Sequence, residues 1–279
     1  MPVPLLAALA ICCLASNSPL ARAGVTDGTD PMAFAAIRVA AGAAMLLIIT
    51  RGRAPLRGTR RWGAALALMV YLVGFSLAYR GLDAGLGALI LFATVQLGLL
   101  GAGLARGEGM TPRRAAGSVV ALGGLAWLLW PGGDVVAPAV DSALMIVAGL
   151  AWAAYSFAGK YESAPIPATA GNFVLGTVAF AALAPVWWGA PVTPLGAVCA
   201  MVSGAVTSGL GYAMLYRVLP RLTLSVSGVM QLAVPVVATI MGAAVLGEML
   251  TPRAFAAGAL TLGGVALATL QPTRRSKGS

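Results

Sequence analysis

An internal duplication constrains this chain more than any other feature of its sequence. Residues 107–113 read GEGMTPR and residues 247–253 read GEMLTPR, while residues 74–80 read GFSLAYR and residues 211–217 read GYAMLYR. Shorter echoes lie in the same register, with separations between 135 and 140 residues. We therefore divide the chain into two related halves, a first repeat over residues 1–135 and a second over residues 136–279.

The composition indicates that both halves lie in a membrane. Of the 279 residues, 59% are hydrophobic and only 9% are charged, whereas soluble domains carry about 25% charged residues. The 36 glycines fit the enrichment of small residues where helices pack closely in lipid. The chain is therefore predicted to be a membrane protein.

A bilayer core of about 30 Å requires about 20 apolar residues of helix, and runs of that length recur along the whole chain. They predict an all-α membrane protein with ten transmembrane helices, five in each half. The predicted spans are 3–21, 31–50, 62–80, 84–105, 112–131, 142–159, 168–189, 195–216, 222–247 and 254–270.

Five helices per repeat is an odd number, so the second repeat must enter the membrane from the opposite side and the repeats must be inverted. Basic residues concentrate in cytoplasmic loops, and a cytoplasmic N-terminus places 14 of the 18 Lys and Arg residues on that side. Both termini are therefore expected in the cytoplasm, in a bacterial-type inner membrane. The first span lacks the preceding positive side chain of a signal peptide, so we expect it to be retained.

Several classes of function are disfavoured by what the sequence lacks. It contains no histidine, which removes His-dependent catalysis and the commonest metal ligand. Cys12, Cys13 and Cys199 lie in apolar runs without a CxxC pair, so they predict neither a disulfide nor a metal site. The net charge of +10 resides in short loops, which favours a topological role over nucleic-acid binding. We expect no enzyme activity, no cofactor and no metal.

The doubled GE-x-x-TPR turn, with SNSPLARAG and FAAIRVAAGA near the start, resembles the ten-helix EamA-type branch of the drug/metabolite transporter superfamily. The resemblance spans residues 5–270 and implies two inverted five-helix repeats around a central cavity. It also implies movement of small organic solutes, often export of amino acids. Four-helix relatives use a glutamate in their first helix for proton-coupled drug export. Here Ser16, Asn17 and Ser18 lie there instead, which argues against that coupling and makes Asn17 and Ser18 candidates for solute binding.

Two glutamines are equivalent under the repeat. Gln96 and Gln231 lie near the centres of the fourth and ninth spans, and an amide at membrane depth is costly unless it is bonded or faces water. Pro235 leaves the carbonyl of Gln231 without its helical donor, as in the interrupted helices that bind solutes in transporters. The two side chains are predicted either to line one cavity or to hydrogen-bond neighbouring helices as structural contacts.

Aromatic residues recur at helical spacing in three spans. Such side chains would form a cavity wall suited to apolar or aromatic amino acids, although aromatic residues also gather at membrane interfaces. We assign Tyr79 and Tyr216, at span ends, to the interface, and Tyr71 and Trp152 to the cavity. The candidates are Tyr71, Phe75, Tyr79, Trp152, Tyr155 and Tyr212.

Arg38 is the one charged residue in the interior of a predicted span, about 10 Å deep at 1.5 Å per residue. Its side chain is expected to extend to the outer surface, or alternatively to pair with a substrate carboxylate near the outer mouth. Glu108 and Glu248 stand three residues before Thr-Pro-Arg steps, where they would cap the fifth and tenth helices.

These observations predict a transporter of small organic solutes that works by alternating access, with export of neutral, apolar or aromatic amino acids as the leading hypothesis. A facilitator is expected, because no predicted span contains a titratable carboxylate or histidine and the loop carboxylates should keep ordinary pKa values in water. Proton-coupled efflux is the alternative, and a non-transporting scaffold or receptor is a remote one. The expected partners are a small-molecule substrate and the bilayer, and the duplication, which replaces a dimer, is consistent with a monomer.

Overall fold

The structure, a computed structural model, describes residues 2–107, 109–130, 137–159, 162–218, 224–249 and 251–269, without the side chains of residues 224–232 and 269. This part of the chain is helical and contains no strand, which confirms the all-α class. The helices are α1 (Val3–Thr26), α2 (Pro31–Thr50), α3 (Thr59–Ala78), α4 (Ala84–Ala105), α5 (Pro112–Leu129), α6 (Ala139–Gly159), α7 (Pro165–Ala182), α8 (Ala184–Trp187), α9 (Pro194–Val202), a π-helical segment (Ser203–Leu210), α10 (Gly211–Val218), α11 (Leu224–Leu246) and α12 (Pro252–Thr269).

Seven of the described helical segments are long and apolar enough to cross a bilayer, with lengths of 18 to 25 residues. One of them is the continuous helix Pro194–Val218, in which the π-helical segment joins α9 to α10. Two shorter apolar helices, Ala233–Leu246 and Pro252–Ala268, follow in the described part of the last third. These lengths match the roughly 20 residues that a bilayer core requires.

The predicted span 168–189 is wrong in one detail, because it is not one continuous helix. α7 ends at Ala182, and the chain then makes the single turn α8 before Trp188. Pro185 lies in this region, and proline both lacks an amide donor and disfavours helical backbone at the residue before it. The break therefore follows from the local sequence.

Four helices begin at an Asp-Pro or Thr-Pro step. Asp30 accepts hydrogen bonds from the amides of Met32 and Ala33 at 2.8 and 3.1 Å. Thr111, Thr193 and Thr251 each accept one from the amide three residues later. The proline that follows has no amide to leave unpaired, and its fixed φ suits the first helical turn. The starts of α2, α5, α9 and α12 are thus set locally.

Small residues allow the helices to approach closely. α5 packs along α12, and a Cβ on Gly117 would overlap the backbone of Gly264 and Ala268. A Cβ on Gly264 would in turn overlap the backbone of Gly117 and Ala121. Close backbone approach of this kind replaces the hydrophobic driving force that is absent between helices in lipid.

Other pairs of helices surround the centre of the bundle. α1 packs against α11 and against the helix formed by α9, the π-helical segment and α10, whereas α6 packs against α3 and α4. α2 packs against α7 and the π-helical segment. Large apolar side chains remain exposed on the outside of the bundle, as is typical of a surface that contacts lipid. They include Trp62, Leu66, Val119, Leu122, Ile240 and Phe255.

Candidate solute-binding site

A small cavity lies between α1, α3, α4, α6 and α10. Its volume is about 20 Å³, which is room for about one water molecule. Six of the candidate residues from the sequence line it, and three apolar residues of α1 and α4 complete the wall. The lining residues are Leu14, Asn17, Ser18, Tyr71, Phe75, Leu91, Phe92, Trp152 and Tyr212.

The aromatic residues of this wall touch one another across the two halves of the chain. The ring centroids of Tyr71 and Trp152 are 4.7 Å apart, and those of Trp152 and Tyr212 are 5.3 Å apart. Tyr71 and Phe75, one helical turn apart on α3, are also 5.3 Å apart. The cavity is small because these rings are in contact, so the walls must separate before a larger molecule can enter.

Asn17 joins α1 to the π-helical segment by hydrogen bonds. Its Oδ1 accepts from the hydroxyls of Ser203 at 2.8 Å, Thr207 at 2.6 Å and Ser208 at 3.4 Å. Its Nδ2 donates to the carbonyl of Leu14 at 3.3 Å. An amide so far inside a membrane protein is stabilised by such partners, and here they form one face of the cavity region.

The three hydroxyl residues around Asn17 were missed in the sequence. Ser203 and Thr207 are four residues apart, so they share a helix face, and this spacing inside an apolar span was the available signal. Ser208 reaches the same acceptor because the backbone is π-helical here, and π-helical turns commonly occur at functional sites. The π-helical geometry itself had no signature that we could identify in the sequence.

Arg38 is completely buried, at 0% exposure. Its Nη2 donates to the Tyr71 hydroxyl at 3.2 Å and to the Ser208 hydroxyl at 3.3 Å. Its guanidinium carbon lies 4.9 Å from the ring centroid of Phe75 and 5.5 Å from that of Tyr71. The expectation that Arg38 extends to the outer surface is therefore wrong, because rings and hydroxyls of neighbouring helices hold its side chain inside the bundle.

Comparison with known proteins decides the family. The sequence profile of the EamA-like transporter family matches residues 142–270. The "Uncharacterized protein PA1977" of Pseudomonas aeruginosa is 45% identical over 271 residues, which cover 94% of this chain and 93% of that protein. The chain belongs to the EamA-like transporter family.

Members of the EamA-like family are membrane transporters of small solutes. With its apolar helices, this EamA-like chain is a multi-pass membrane protein that resides in a lipid environment. A solved structure described as "Crystal structure of protein" shares the fold, with a TM-score of 0.65 at 22% identity, over 95% of this chain and 98% of its own.

The candidate residues Tyr155 and Gln96 of the EamA-like chain lie outside the lining of the cavity. Tyr155 stacks on Trp152 at 5.3 Å but points its hydroxyl to Thr169, at 3.4 Å. Gln96 is a buried residue of α4. The side chain of Gln231 lies outside the described residues, so the shared role of the two glutamines stays a prediction.

The sequence pattern assigns Tyr79 to an interfacial aromatic belt, but the structure buries it. Its side chain is fully buried, and its ring lies 4.8 Å from that of Phe75 in an edge-on arrangement. Its hydroxyl donates to the carbonyl of Ala84 at 3.4 Å. The prediction was wrong because the end of α3 is covered by the start of α4.

An ion-paired cluster lies at one end of the bundle, and we name it the Arg22 cluster (Arg22, Asp83 and Glu248). Arg22, on α1, donates to the carbonyls of Tyr79 and Arg80 at 3.1 and 3.0 Å. Its guanidinium also lies 3.4 Å from an oxygen of Asp83 and 3.6 Å from one of Glu248. The cluster thereby ties α1 to the end of α3, to the start of α4 and to the turn before α12.

Glu248 caps a different helix from the one predicted. Its carboxylate accepts from the amide of Ala84, at 2.8 and 3.0 Å, and so caps α4, whereas Thr251 caps α12. Burial raises the pKa of Glu248 above its ordinary value, although the Ala84 amide and Arg22 oppose this effect. The expectation of ordinary pKa values for the loop carboxylates is therefore wrong for Glu248. Glu108, its counterpart in the repeat, lies outside the described residues.

A second cluster lies at the opposite end of α3, and we name it the Arg61 cluster (Arg61, Glu162 and Asn172). Arg61 donates to the carbonyl of Ala168 at 3.1 Å and to Oδ1 of Asn172 at 3.4 Å, and lies 3.2 Å from Glu162. Asn172 in turn donates to the Tyr155 hydroxyl at 3.4 Å. This cluster connects α3, α7 and the segment that follows α6, so helices that border the cavity are tied together at both ends.

Proposed function

We propose that the protein exports neutral amino acids with apolar or aromatic side chains across the inner membrane, by alternating access through the central cavity. The observation that carries this proposal is the composition of the cavity wall. Tyr71 and Phe75 come from the first half, Trp152 and Tyr212 from the second, and Asn17 supplies an amide beside them. Aromatic faces bind apolar side chains, while hydroxyls and amides orient polar groups.

The pairing of helices supports an organisation in two inverted units, residues 1–135 and 136–279. Helices that are equivalent under the repeat pack against each other as α2 with α7, α4 with α11 and α5 with α12. α5 and α12 run antiparallel, since Gly117 meets Gly264 and Ala268 whereas Gly124 meets Ala257 and Thr261. An inverted repeat about an axis in the membrane plane requires this antiparallel arrangement. One chain supplies both halves of the cavity wall, which favours a monomer as the working unit.

The small volume of the cavity and the clusters at the two ends of the helices support alternating access. Ligand pockets for small organic molecules enclose about 300–1,000 Å³, far more than the cavity of about 20 Å³. Loading therefore requires separation of the aromatic walls, and the Arg22 and Arg61 clusters are placed to hold opposite ends of the helices together. Release of one cluster while the other stays intact would open the cavity to one side only.

The distribution of basic residues supports an orientation with both termini in the cytoplasm. The Arg61 cluster would then face the cytoplasm, together with an open cavity of about 390 Å³ near Arg51, Arg53 and Arg217. The Arg22 cluster would face the outside. Export would consist of loading from the side of the Arg61 cluster and release past the Arg22 cluster.

Proton-coupled export is a second candidate, and the raised pKa of Glu248 favours it. A carboxylate that is buried in one state and hydrated in another binds protons differently in the two states, which is what coupling requires. A facilitator, which is driven by the substrate gradient alone, would instead show equal initial rates of substrate transport with and without a pH gradient at fixed membrane potential. Accumulation that a protonophore abolishes would establish coupling instead.

The test is exchange of amino acids across liposomes that contain the purified full chain. Vesicles are loaded with unlabelled L-phenylalanine or L-leucine, and entry of the labelled amino acid is followed, with protein-free vesicles as the blank. Trp152→Ala should reduce the rate about tenfold or more, because it removes a ring from the centre of the wall. Trp62→Ala is the matched control, since Trp62 is 60% exposed on the outside of α3. Equal loss in both variants, or no exchange by the parent protein, would contradict the proposal.

A further inference from the structure

Arg38 is a buried cation whose charge has no counter-ion in the described part of the chain. Its side chain is 0% exposed, and no carboxylate in that part lies within ion-pair distance of it. Among the described residues, Nε and Nη1 have no hydrogen-bond partner, so two of its three nitrogens are unsatisfied there. Arg61 is also buried but is paired with Glu162. Of the two buried arginines in the described residues, Arg38 alone therefore lacks a counter-ion.

An arrangement of this kind is unfavourable for folding by itself. A buried charge is tolerated when it is paired and hydrogen-bonded, and a buried donor without an acceptor costs the desolvation of that group. The guanidinium group stays charged in proteins, so arginine cannot relieve the cost by becoming neutral. Strained or unsatisfied groups that persist in a fold are a recognised sign of a binding role.

The position of Arg38 connects it directly to the cavity. Tyr71 and Phe75, which lie against the guanidinium, also line the cavity. Ser208, the second acceptor of Nη2, also donates to Asn17, another lining residue. Separation of the aromatic walls would therefore bring the guanidinium group of Arg38 into contact with the cavity.

We infer that Arg38 binds the carboxylate of the transported solute. One positive charge among aromatic rings matches a singly charged, partly apolar anion, and a carboxylate oxygen would accept from Nη1 or Nε, the donors that lack a partner. Guanidinium–carboxylate hydrogen bonds are about twice as strong as neutral ones. The inference rests on the proposed transport through this cavity and adds to it that a carboxylate, rather than an amino group, is what the site requires.

The test compares three probes that differ in one group each. L-phenylalanine carries both charges, 3-phenylpropanoate carries the carboxylate alone, and L-phenylalaninamide carries the amine without a carboxylate. Binding to the purified full chain is measured as the rise in unfolding temperature in detergent, and exchange is measured in liposomes. The two acids should bind and the amide should not, with apparent affinity lowered about 10- to 100-fold by Arg38→Met, the range expected for loss of a hydrogen bond to a charged group.

A second readout separates binding from a structural role. Removal of an uncompensated buried charge should leave the unfolding temperature of the ligand-free Arg38→Met variant equal to or above that of the parent. If Arg38 served only to stabilise the fold, its replacement by Met would lower the unfolding temperature. Arg57→Met, at an exposed loop position, is the matched control and should keep both the stability and the preference for acids. If Arg38→Met fails to fold, Arg38→Lys retains the charge and should bind the acids more weakly than the parent.

The outcomes distinguish the inference from the proposed function. Equal binding of acid and amide, retention of the preference in Arg38→Met, or an equal Arg38-dependent response to chloride or phosphate would overturn the inference. Exchange of the probes without a preference for acids would overturn it and leave the transport proposal standing. Arg38-dependent binding of the acids without any exchange would support the carboxylate site and overturn the transport proposal. No binding of any probe would reject the carboxylate site.

Discussion

The carboxylate of Glu248 shows how one contact changes the chemistry of a loop residue. Its side chain is 15% exposed and caps α4, and Arg22 approaches it from α1. Burial raises its pKa, the Ala84 amide lowers it, Asp83 raises it and Arg22 lowers it, with a net rise above 4.5. Because the folded pKa lies above the unfolded one, proton binding to Glu248 stabilises the folded state relative to the unfolded state. This contribution is complete below the unfolded pKa and is lost as the pH rises through the folded pKa.

We therefore expect Glu248→Gln to remove one component of the pH dependence of stability. The unfolding temperature of the parent, relative to that of the variant, should fall as the pH rises above the ordinary pKa of glutamate, about 4.3, and through the raised pKa of Glu248. Arg22→Gln should move this change to higher pH, because Arg22 lowers the pKa. The measurement is thermal unfolding in detergent across this pH range. Parallel profiles for the parent and Glu248→Gln would contradict the assignment.

At the scale of helices, adjacent glycines have different roles. In α12, a Cβ on Gly264 would overlap the backbone of α5, whereas one on Gly263 would meet nothing within 4 Å. In α5, Gly124 faces Thr261 and Ala257, whereas Gly123 faces open space. In each repeat, one glycine of the Gly-Gly pair packs against the facing helix and the other faces open space.

Gly264→Leu should separate α5 from α12 and lower the free energy of unfolding by about 1–3 kcal/mol or more, the typical cost of overpacking. Gly263→Leu is the matched control, and it should be neutral or stabilising by up to about 1 kcal/mol, because leucine favours helix more than glycine does. Reversible unfolding in mixed micelles measures both. A similar loss in the two variants would show that α5 and α12 do not pack as described.

At the scale of the whole molecule, the two halves of the chain share one cavity and are held at two ends. Trp152 of the second half packs against Tyr71 of the first half and against Tyr212. The Arg22 cluster joins residues more than 160 positions apart in the chain, and Arg61 joins α3 to α7. Under the proposed function, such a carrier would move by rocking one unit against the other, which is the usual behaviour of inverted repeats.

The orientation of the molecule can be tested with reporters that are active only outside the cytoplasm. A fusion after Pro191, between α8 and α9, should be active, because an odd number of spans would separate it from a cytoplasmic N-terminus. Fusions after Pro55 or Lys277 should be inactive. Cells that express each fusion at equal level provide the measurement. The opposite pattern of activity would reject both the orientation and the ten-span arrangement.

Local features of the sequence determined the membrane class, the all-α fold, the family resemblance and the starts of several helices. Hydrophobic runs of bilayer length depend on neighbours along the chain alone, as do the capping steps at Asp30 and Thr251. Six cavity residues could also be found, because aromatic and amide side chains within apolar spans are unusual enough to be recognised. These properties require no knowledge of which helices meet.

Tertiary structure alone decided the contacts that join distant helices. Asn17 meets Thr207 across 190 positions, and Glu248 caps α4 across 164. Arg38 is enclosed because α3 and the π-helical segment cover it, a result of helix packing that a position seven residues into a span could not reveal. The physical reason is that side-chain burial and pairing depend on the relative position and rotation of packed helices, which local patterns of polarity do not specify.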